Sequence, residues 1–331
     1  MCYKNLNKID IIIPTYKRNK SLIRLLKSIS KQTLLPNKVI ISSVKGSEQQ
    51  IQDAINNINL PIKLLFSEPS VCKQRNYGIN SSKSQYILLC DDDIELPKNY
   101  IEKLYQYLIE NKKVNIATGE EHLLSTDGKW EKFESKLSFL RLIYNYIFGL
   151  SIWSNLNSKS YPSNFFFKYI LAFYRRKNNH ISKSGWPIVT NFNYPIMKTS
   201  IYGLGCSMIK SEKLKTNLFT EDINQYGFGD NYDLALRINN NKNKIHVLRD
   251  LHFKHYKSPK NRLKLETSYY LRTKTLYSFI EKLPVFKFRN KLYFLWSLIG
   301  NGLLFFLTGK IKHFYNNFKI ILFVTYRLIK I

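Results

Sequence analysis

The chain has 331 residues, of which 44% are hydrophobic. This is enough to bury the core of one large α/β domain with a smaller appendage, and it excludes more than two domains. Lysine and arginine number 52 against 23 aspartates and glutamates, so the net charge of +29 favours anionic partners such as nucleotide phosphates, nucleic acid or acidic lipid headgroups.

The cysteines argue against both a metal cluster and a disulfide framework. Cys2, Cys72, Cys90 and Cys206 are far apart and form no Cys-x-x-Cys or Cys/His group. A reducing, cytosolic setting therefore fits best. The residues before the first strand contain no apolar stretch of the length that a signal peptide requires, so we expect no export by that route.

Short apolar strands alternate with helical patterns along the first 110 residues. Alternation at this spacing predicts a largely parallel sheet covered by helices on both faces. Binding sites in such sheets lie beyond the carboxyl ends of the strands. The predicted strands are 9–13, 39–41, 62–66 and 86–90, and the predicted helices begin after Ser21, which would cap the first of them, and cover about 70–82 and 98–110.

Two later segments have a different composition. Residues from about 135 to 180 are crowded with aromatic side chains, which indicates an insertion that contacts membrane or acceptor. Residues 261–331 contain thirteen basic residues and two acidic ones, and include an apolar run at 292–307. Because this run is shorter than the roughly 20 residues that span a bilayer, we expect it to be interfacial or re-entrant. The alternative is a helical hairpin packed on a soluble domain.

Three carboxylates, Asp91, Asp92 and Asp93, directly follow the strand at 86–90. Crowded like charges repel one another, and a divalent cation that bridges them to a diphosphate removes that cost. Mg²⁺ and Mn²⁺ prefer such oxygen ligands. The alternative is an acidic turn at the positive end of the helix that follows.

Three further segments accompany the carboxylates. Residues 12–18 end the first strand, residues 72–78 open a helix, and residues 226–237 come much later. Together the segments resemble the family 2 glycosyltransferases with the A-type fold. That family shows a Pro-Thr/Ser-Tyr/Phe-x-Arg-like turn, an Arg-Asn-x-Gly helix, an Asp-x-Asp element and Gly-x-Glu-Asp-x-Asp-Leu-x-x-Arg in this order. The resemblance covers about residues 8–260.

The resemblance implies an α/β fold with a mostly parallel nucleotide-binding sheet flanked by helices. The catalytic domain would cover residues 1–260, and residues 261–331 would form C-terminal helices that associate with a membrane. The implied activity is metal-dependent, inverting, hexosyltransferase-type transfer from a nucleotide-sugar donor to a hydroxyl of a glycan or lipid-linked acceptor. We expect it to serve cell-surface polysaccharide or glycolipid synthesis, in the cytoplasm at the inner face of the cell membrane.

The resemblance also implies roles for individual residues on the donor side. Pro14, Thr15 and Arg18 would lie near the nucleotide, and Arg75 near the base or the phosphates. The end of the second strand, residues 41–47, lacks the aspartate with which many family members read the base. The resemblance therefore does not name the nucleotide.

The metal, Mn²⁺ or Mg²⁺, would lie between the carboxylates and the diphosphate. The resemblance places Asp93 on the metal, Asp91 on the ribose or base side and as a further metal ligand, and Asp92 among the donor-binding residues. The family often supplies a late histidine to this site, and His255 is preferred here over His252. A histidine in a structural or surface role is the alternative.

The late motif would supply the general base that deprotonates the acceptor hydroxyl. The family's Glu-Asp pair is Asp230-Asn231 here, and an amide cannot accept that proton. The role would therefore fall to Asp230, which is the preferred candidate, be shared with Asp233, or be relayed by water. The alternative is that Asp230 caps a helix and that Asp233 pairs with Arg237.

Two other classes of function compete. A nucleic-acid-binding protein would explain the charge and the 23 tyrosines and 21 phenylalanines, but not the carboxylate cluster, so we expect no nucleic-acid partner. A non-catalytic membrane-associated protein would explain Asn231. A nicotinamide dehydrogenase or P-loop enzyme is not expected, because neither Gly-x-Gly-x-x-Gly nor the P-loop motif occurs.

Overall fold

The structure is a computed structural model. It describes residues 8–132, 137–156, 165–175, 179–192, 194–223, 226–239, 245–257 and 263–330. Parts of the aromatic segment expected at 135–180 therefore lie outside the described residues.

Most of the strands form one large mixed sheet, and three short strands form a second, small sheet. The strands are β1 (Ile9–Pro14), β2 (Lys38–Val44), β3 (Ile62–Ser67), β4 (Tyr86–Cys90), β5 (Ile94–Glu95), β6 (Ile116–Leu124), β7 (Trp130–Lys132), β8 (Ile152–Trp153), β9 (His180–Ile181), β10 (Pro187–Val189), β11 (Ile196–Thr199), β12 (Cys206–Lys210) and β13 (Ile245–His255).

The strand order in the large sheet is β11-β13-β6-β12-β4-β1-β2-β3, with β5 beside β13 and β7 beside β6. β3, β2, β1 and β4 are parallel, as predicted. β12 runs antiparallel between β4 and β6, while β6 and β13 are again parallel to each other. The carboxyl ends of β1, β4, β6 and β13 therefore meet at one edge of the sheet.

Helices cover both faces of the sheet because its strands alternate two sets of apolar side chains. Ile11 and Ile13 pack in one core cluster with the helices on one face, whereas Ile12 packs in a second cluster with the helices on the other face. The helices are α1 (Asn19–Ile29), α2 (Glu48–Ile55), α3 (Val71–Ser81), α4 (Tyr100–Glu110), α5 (Phe139–Phe148), α6 (Phe165–Arg175), α7 (Ser211–Lys215), α8 (Asp230–Asn239), α9 (Leu265–Lys282), α10 (Phe288–Leu307) and α11 (Ile311–Ile329).

The first helix differs from its prediction at the amino end. It begins at Asn19, and the backbone N–H of Leu22 donates to the carbonyl of Arg18 at 3.0 Å. Ser21 therefore lies inside α1 and does not cap it. Its apolar stripe is nevertheless the predicted one, because Leu22, Leu25, Leu26 and Ile29 are all buried.

The three C-terminal helices share a core and also contact helix α8. Phe294 and Leu298 of α10 pack with Ile320 and Val324 of α11 and with α9. The ring of Tyr232, in α8, stacks on Phe279 of α9 with centroids 6.1 Å apart. None of the helices in the described part of the chain combines the length and the apolar character that crossing a membrane requires.

The aromatic segment is joined to the C-terminal helices. Tyr144 of α5 donates to the carbonyl of Gly300 at 2.5 Å, and Trp296 of α10 donates to the carbonyl of Ile147 at 2.9 Å. The rings of Phe148 and Trp296 stack with centroids 5.0 Å apart. The two segments of unusual composition therefore form one continuous surface.

Candidate functional site

The ends of β1 and β4 bring the first motif to the carboxylates. β1 pairs in parallel with β4, so the turn after Pro14 lies beside Asp92. The hydroxyl of Thr15 donates to Asp92 Oδ2 at 2.7 Å, and Arg18 Nη1 lies 3.1 Å from Asp92 Oδ1. Burial raises the pKa of Asp92 to about 6, against the opposing effects of Arg18 and Thr15. Asp92 thus ties the two strand ends together.

The turn at the end of β1 is also fixed from α3. The N–H of Thr15 donates to the carbonyl of Ser42 at 3.0 Å. The side-chain amide of Gln74 donates to the carbonyls of Thr15 and Ser42, each at 2.8 Å. Gln74 is buried and sits inside the predicted 72–78 motif, but sequence reasoning gave it no role. It holds the predicted nucleotide-side residues Pro14 and Thr15 in position.

Arg75 joins the second motif to two others. Its Nη2 donates to Asp91 Oδ1 at 2.8 Å, and its Nη1 donates to Asp230 Oδ2. The guanidinium is buried, and although burial opposes its charge, Asp230 and Asp91 raise the pKa of Arg75 further. Three predicted site residues from distant parts of the chain therefore form one ion-paired group.

Asp91 is the most accessible of the three carboxylates. Its side chain is 31% exposed, whereas that of Asp93 is 2% exposed. The backbone N–H of Asp91 donates to the carbonyl of Gly205 at 2.7 Å, and a Cβ on Gly205 would overlap the Asp91 carboxylate. Only a glycine leaves the space that this carboxylate occupies.

Asp93 lies beside His255, as the metal prediction requires of those two residues. His255 Nε2 is 3.0 Å from Asp93 Oδ1, and its Nδ1 is 2.5 Å from Glu121 Oε1. Burial alone would lower the pKa of His255, but hydrogen bonds to Asp93 and Glu121 raise it to about 10. Burial likewise favours a higher pKa for Glu121, and the bond to His255 reverses this and lowers it.

Glu121 was not identified from the sequence. The residues around it carry no motif, and its partner His255 is 134 positions away along the chain. The register of β6 with β13 brings the two together. The one available signal was the pair of consecutive acidic residues, Glu120 and Glu121, within the stretch that forms β6.

Asp230 occupies the first position of α8, facing Arg75. Its carboxylate also accepts the backbone N–H of Asn231 at 2.6 Å. Burial raises the pKa of Asp230, although Arg75 acts in the opposite direction. The Oδ1 atom of Asn231 is buried and has no hydrogen-bond partner in the described part of the chain.

Asp233 points to different partners. It accepts from Arg237 Nη2 at 2.6 Å and from the hydroxyl of Thr220 at 2.6 Å. Arg237 also donates to the carbonyl of Leu218 at 2.8 Å. This i, i+4 pairing is the alternative considered from the sequence, and it joins α8 to the segment after α7. The structure therefore brings Asp230, and not Asp233, to the Arg75 group.

The donor set at Asp93 suits a hard divalent cation. Asp93 supplies a carboxylate and His255 an imidazole, with Asp93 Oδ1 and His255 Nε2 3.0 Å apart. Glu121 is the hydrogen-bond partner of the other imidazole nitrogen. Metal-binding histidines are commonly oriented by a carboxylate in this way. Asp91 is turned towards Arg75, so the described residues do not place all three predicted ligands in one group. The prediction that Asp91 joins Asp93 and His255 remains a prediction.

Comparison with known proteins identifies the family. Residues 10–181, just over half of the chain, match the sequence profile described as Glycosyl transferase family 2. The chain belongs to this family. The match includes the turn after β1, the Arg75 helix and the carboxylates after β4, which the sequence analysis singled out.

Individual relatives of this family 2 glycosyltransferase align over part of their length. The chain is 34% identical over 108 residues to the uncharacterized glycosyltransferase YwdF of Bacillus subtilis, which is 29% of this chain and 37% of that protein. It is 27% identical over 115 residues to the glycosyltransferase GlyG of Streptococcus pneumoniae, which is 34% of this chain and 38% of that protein. The chain thus spans little more than a third of these relatives' length.

The fold agrees with a solved structure of low sequence identity. GalNAc-T7 with UDP, GalNAc and Mn²⁺ superimposes with a TM-score of 0.56 at 12% identity, covering 84% of this chain and 49% of that one. This likeness shows the A-type glycosyltransferase fold. It confirms the predicted fold class, in which an α/β sheet flanked by helices is followed by C-terminal helices.

Proposed function

We propose that this family 2 glycosyltransferase transfers a sugar from a nucleotide-sugar donor to a hydroxyl of a glycan or lipid-linked acceptor, with inversion at the anomeric carbon. The observation that carries the proposal is the ion-paired group in which buried Arg75 contacts both Asp91 and Asp230. It places a cation between a carboxylate of the donor side and the candidate base. In this proposal Arg75 stabilises the negative charge that leaves with the diphosphate. The neighbouring Asp230 accepts the proton that leaves the acceptor hydroxyl.

On the donor side, the residues of the chain bind and neutralise the diphosphate. Arg75 and Arg18 supply positive charge that stabilises the departing nucleoside diphosphate. Asp93 and His255 are the residues that would hold Mn²⁺ or Mg²⁺, with Asp91 as a further ligand. When bound, the cation supplies charge stabilisation for the leaving group. Asp92 serves the donor site indirectly, because it fixes Thr15 and Arg18.

On the acceptor side, Asp230 accepts the hydroxyl proton. Its raised pKa makes it a better proton acceptor than an ordinary aspartate, while Arg75 favours its ionised form. Asn231 cannot replace it as a base. Asp233 is already held by Arg237 and Thr220, and in this proposal it supports α8.

Inversion follows from the number of available carboxylates. A double displacement needs a second carboxylate as nucleophile beneath the sugar. Among the described site residues, Asp92 is bound to Thr15 and Arg18, while Asp91 and Asp93 serve the metal and the diphosphate in this proposal. Asp230 remains as base for a single displacement.

The test begins with a panel of nucleotide-sugars, assayed for metal-dependent hydrolysis and for thermal stabilisation of the protein. With the donor found, Asp93→Asn should reduce turnover by at least about 10²-fold at saturating metal. Asp53→Asn is the matched control, since Asp53 is exposed on α2, where it accepts a hydrogen bond from the side chain of Gln49. Turnover of Asp93→Asn within about threefold of wild type would contradict the assignment. The anomeric proton of the product reports inversion or retention by nuclear magnetic resonance.

We also propose that the protein binds the inner face of the cell membrane through α10 and α11. Large apolar side chains are exposed there beside basic ones, and a basic, aromatic surface of this kind suits anionic headgroups. Lys319 and Lys330 lie over the rings of Tyr315 and Tyr326. The most exposed apolar residues of the two helices are Phe306, Leu307, Ile311 and Ile329.

Truncation would be a poor test of the membrane proposal, because α10 and α11 complete a core with α9. The better variant is Leu307→Glu/Ile311→Glu, since these side chains are 75% and 60% exposed. We expect its binding to anionic vesicles to fall while donor hydrolysis is unchanged. Leu124→Glu, at an exposed position of β6, is the control. Equal sedimentation of all three proteins with vesicles would contradict this proposal.

A further inference from the structure

A second group of potential metal ligands lies on the β6–β13 strand pair. Glu120 and His122 belong to β6, and His252 belongs to β13. One ligand atom from each lies within 4.8 Å of the others. The proposed transfer reaction uses none of the three residues.

This group is on the opposite face of the strand pair from Glu121 and His255. Successive residues of a strand point to opposite faces, so Glu120 and His122 share one face and Glu121 takes the other. The parallel register pairs His252 with Glu120, which places His252 with the first two. His255 lies three positions further and faces the Asp93 side. The two groups are therefore back to back and structurally distinct.

The carboxylate of Glu120 contacts both an arginine and an imidazole. Arg249 Nε lies 3.0 Å from Glu120 Oε1, which leaves Glu120 Oε2 facing His122 Nε2 at 3.5 Å. Glu120 is buried. His122 is half-buried and His252 is exposed.

We propose that Glu120, His122 and His252 bind a Zn²⁺-class ion through two imidazoles and one carboxylate. Two histidines and a glutamate are a recurrent zinc donor set, completed by water in the fourth position. Imidazole suits Zn²⁺, Ni²⁺ and Cu²⁺, whereas carboxylate and diphosphate oxygens, such as those proposed for the Asp93 site, suit Mg²⁺ and Mn²⁺. The two faces of one strand pair thus select different metals.

Binding requires a small movement of one ring. The imidazoles of His122 and His252 stack at 4.4 Å between centroids with 18° between planes, and parallel rings cannot direct their lone pairs at one ion. His252 is exposed and can turn about its side-chain bonds. The ion would then link β6 to β13 just after the irregularity between Leu248 and His252. It would brace the strand that carries His255.

The test uses the full chain, without an affinity tag, after removal of metals by chelation. Zn²⁺ is titrated calorimetrically in the presence of excess Mg²⁺, which competes for the carboxylate site. We expect wild type to bind Zn²⁺ and its melting temperature to rise. His252→Ala should weaken Zn²⁺ binding at least about tenfold. Loss of a residue that only orients a metal ligand already lowers metal affinity by about that factor, and loss of a ligand itself should lower it at least as much. His313→Gln, on α11, is the control and should bind like wild type.

Asp93→Asn separates this site from the catalytic one, because it should leave Zn²⁺ binding in excess Mg²⁺ unchanged. His122→Gln provides a second variant within the site, and circular dichroism checks that each variant is folded. The proposal is overturned if wild type binds no Zn²⁺ under these conditions, or if folded His252→Ala and His122→Gln both bind it as tightly as wild type. Loss of binding in Asp93→Asn alone would also overturn it.

Discussion

The carboxylate cluster after β4 and the surface of α10 and α11 differ in the burial and the pairing of their charged side chains. Asp92 and Asp93 are almost completely buried, and each contacts an arginine or histidine. On α10 and α11 the basic residues are at the surface. In the described part of the chain, Arg327 of α11 forms an ion pair with Glu281 of α9. A buried charge is retained only with a partner, whereas an exposed cation costs little.

The two regions should therefore respond differently to single substitutions. In the cluster, each charge has a geometric partner, so single substitutions should have large and specific effects. On the C-terminal surface, the charges act together on a partner outside the molecule, so single substitutions should have small and additive effects.

Arg75→Met should be the most damaging change. It leaves Asp91 and Asp230 without their shared cation, and removing one partner of a buried ion pair costs about 3–5 kcal/mol of unfolding free energy. Urea denaturation measures the loss. Arg75→Met/Asp230→Asn should recover part of it, because one buried negative charge is then removed. If Arg75→Met is as stable as wild type, the ion-paired group does not exist as described.

Asp230→Asn and Asp233→Asn should differ in kind. We expect Asp230→Asn to reduce turnover at least about 10²-fold, as for loss of a general base. Asp233→Asn removes the partner of Arg237 and Thr220, so it should lower stability while turnover per folded molecule changes little. Steady-state kinetics and thermal unfolding of both variants check this. The reverse result would identify Asp233 as the base.

Metal binding at Asp93 should depend on pH through His255. The pKa of His255 is raised to about 10, so the proton must leave before the imidazole can bind a metal. Apparent Mn²⁺ affinity should therefore fall as pH is lowered, by up to about tenfold per pH unit. In the metal-free protein the protonated form stabilises the fold, fully below about pH 6.5 and progressively less as pH rises towards 10. His255→Gln should flatten both profiles, and an unchanged profile would show that another group titrates.

Neutralising lysines on α11 should give the smallest effects. Lys312→Gln and Lys319→Gln should each weaken binding to anionic vesicles by about 1 kcal/mol, roughly fivefold, and their effects should add. Lys83→Gln, near the end of α3, is the control at a distant site. Vesicle binding at two salt concentrations provides the measurement, since an electrostatic contribution must weaken with salt. No change in either variant would leave these lysines without a membrane role.

The amino-terminal half was readable from sequence because its signals are local. The strands at 9–13, 62–66 and 86–90 were predicted within a residue or two, since each is a short and mostly apolar run. The parallel order and the meeting of their carboxyl ends followed from the alternation with helices. The position of Arg18 and Asp92 at the same edge of the sheet was thus predictable from the sequence.

The rest depends on pairings that local patterns do not encode. β12 was not predicted, and its antiparallel insertion between β4 and β6 brings Gly205 to Asp91. Glu121 and Gln74 acquire their roles from neighbours that are distant in sequence. The pairing of Asp233 with Arg237 differs from these, because its i, i+4 spacing is local and visible in the sequence. The family motif nevertheless favoured a catalytic role for Asp233.

The long separation between site partners has a consequence for synthesis of the chain. Arg75 and Asp230 are 155 positions apart, and His255 meets Glu121 across 134 positions. While the ribosome has made only the first half, Asp91 and Asp93 stand beside each other without Asp230, His255 or β12. Closing loops of this length comes late in folding. An unfinished chain therefore leaves Asp93 without His255 and Arg75 without its second carboxylate, and the site matures only when the last strand of the sheet is in place.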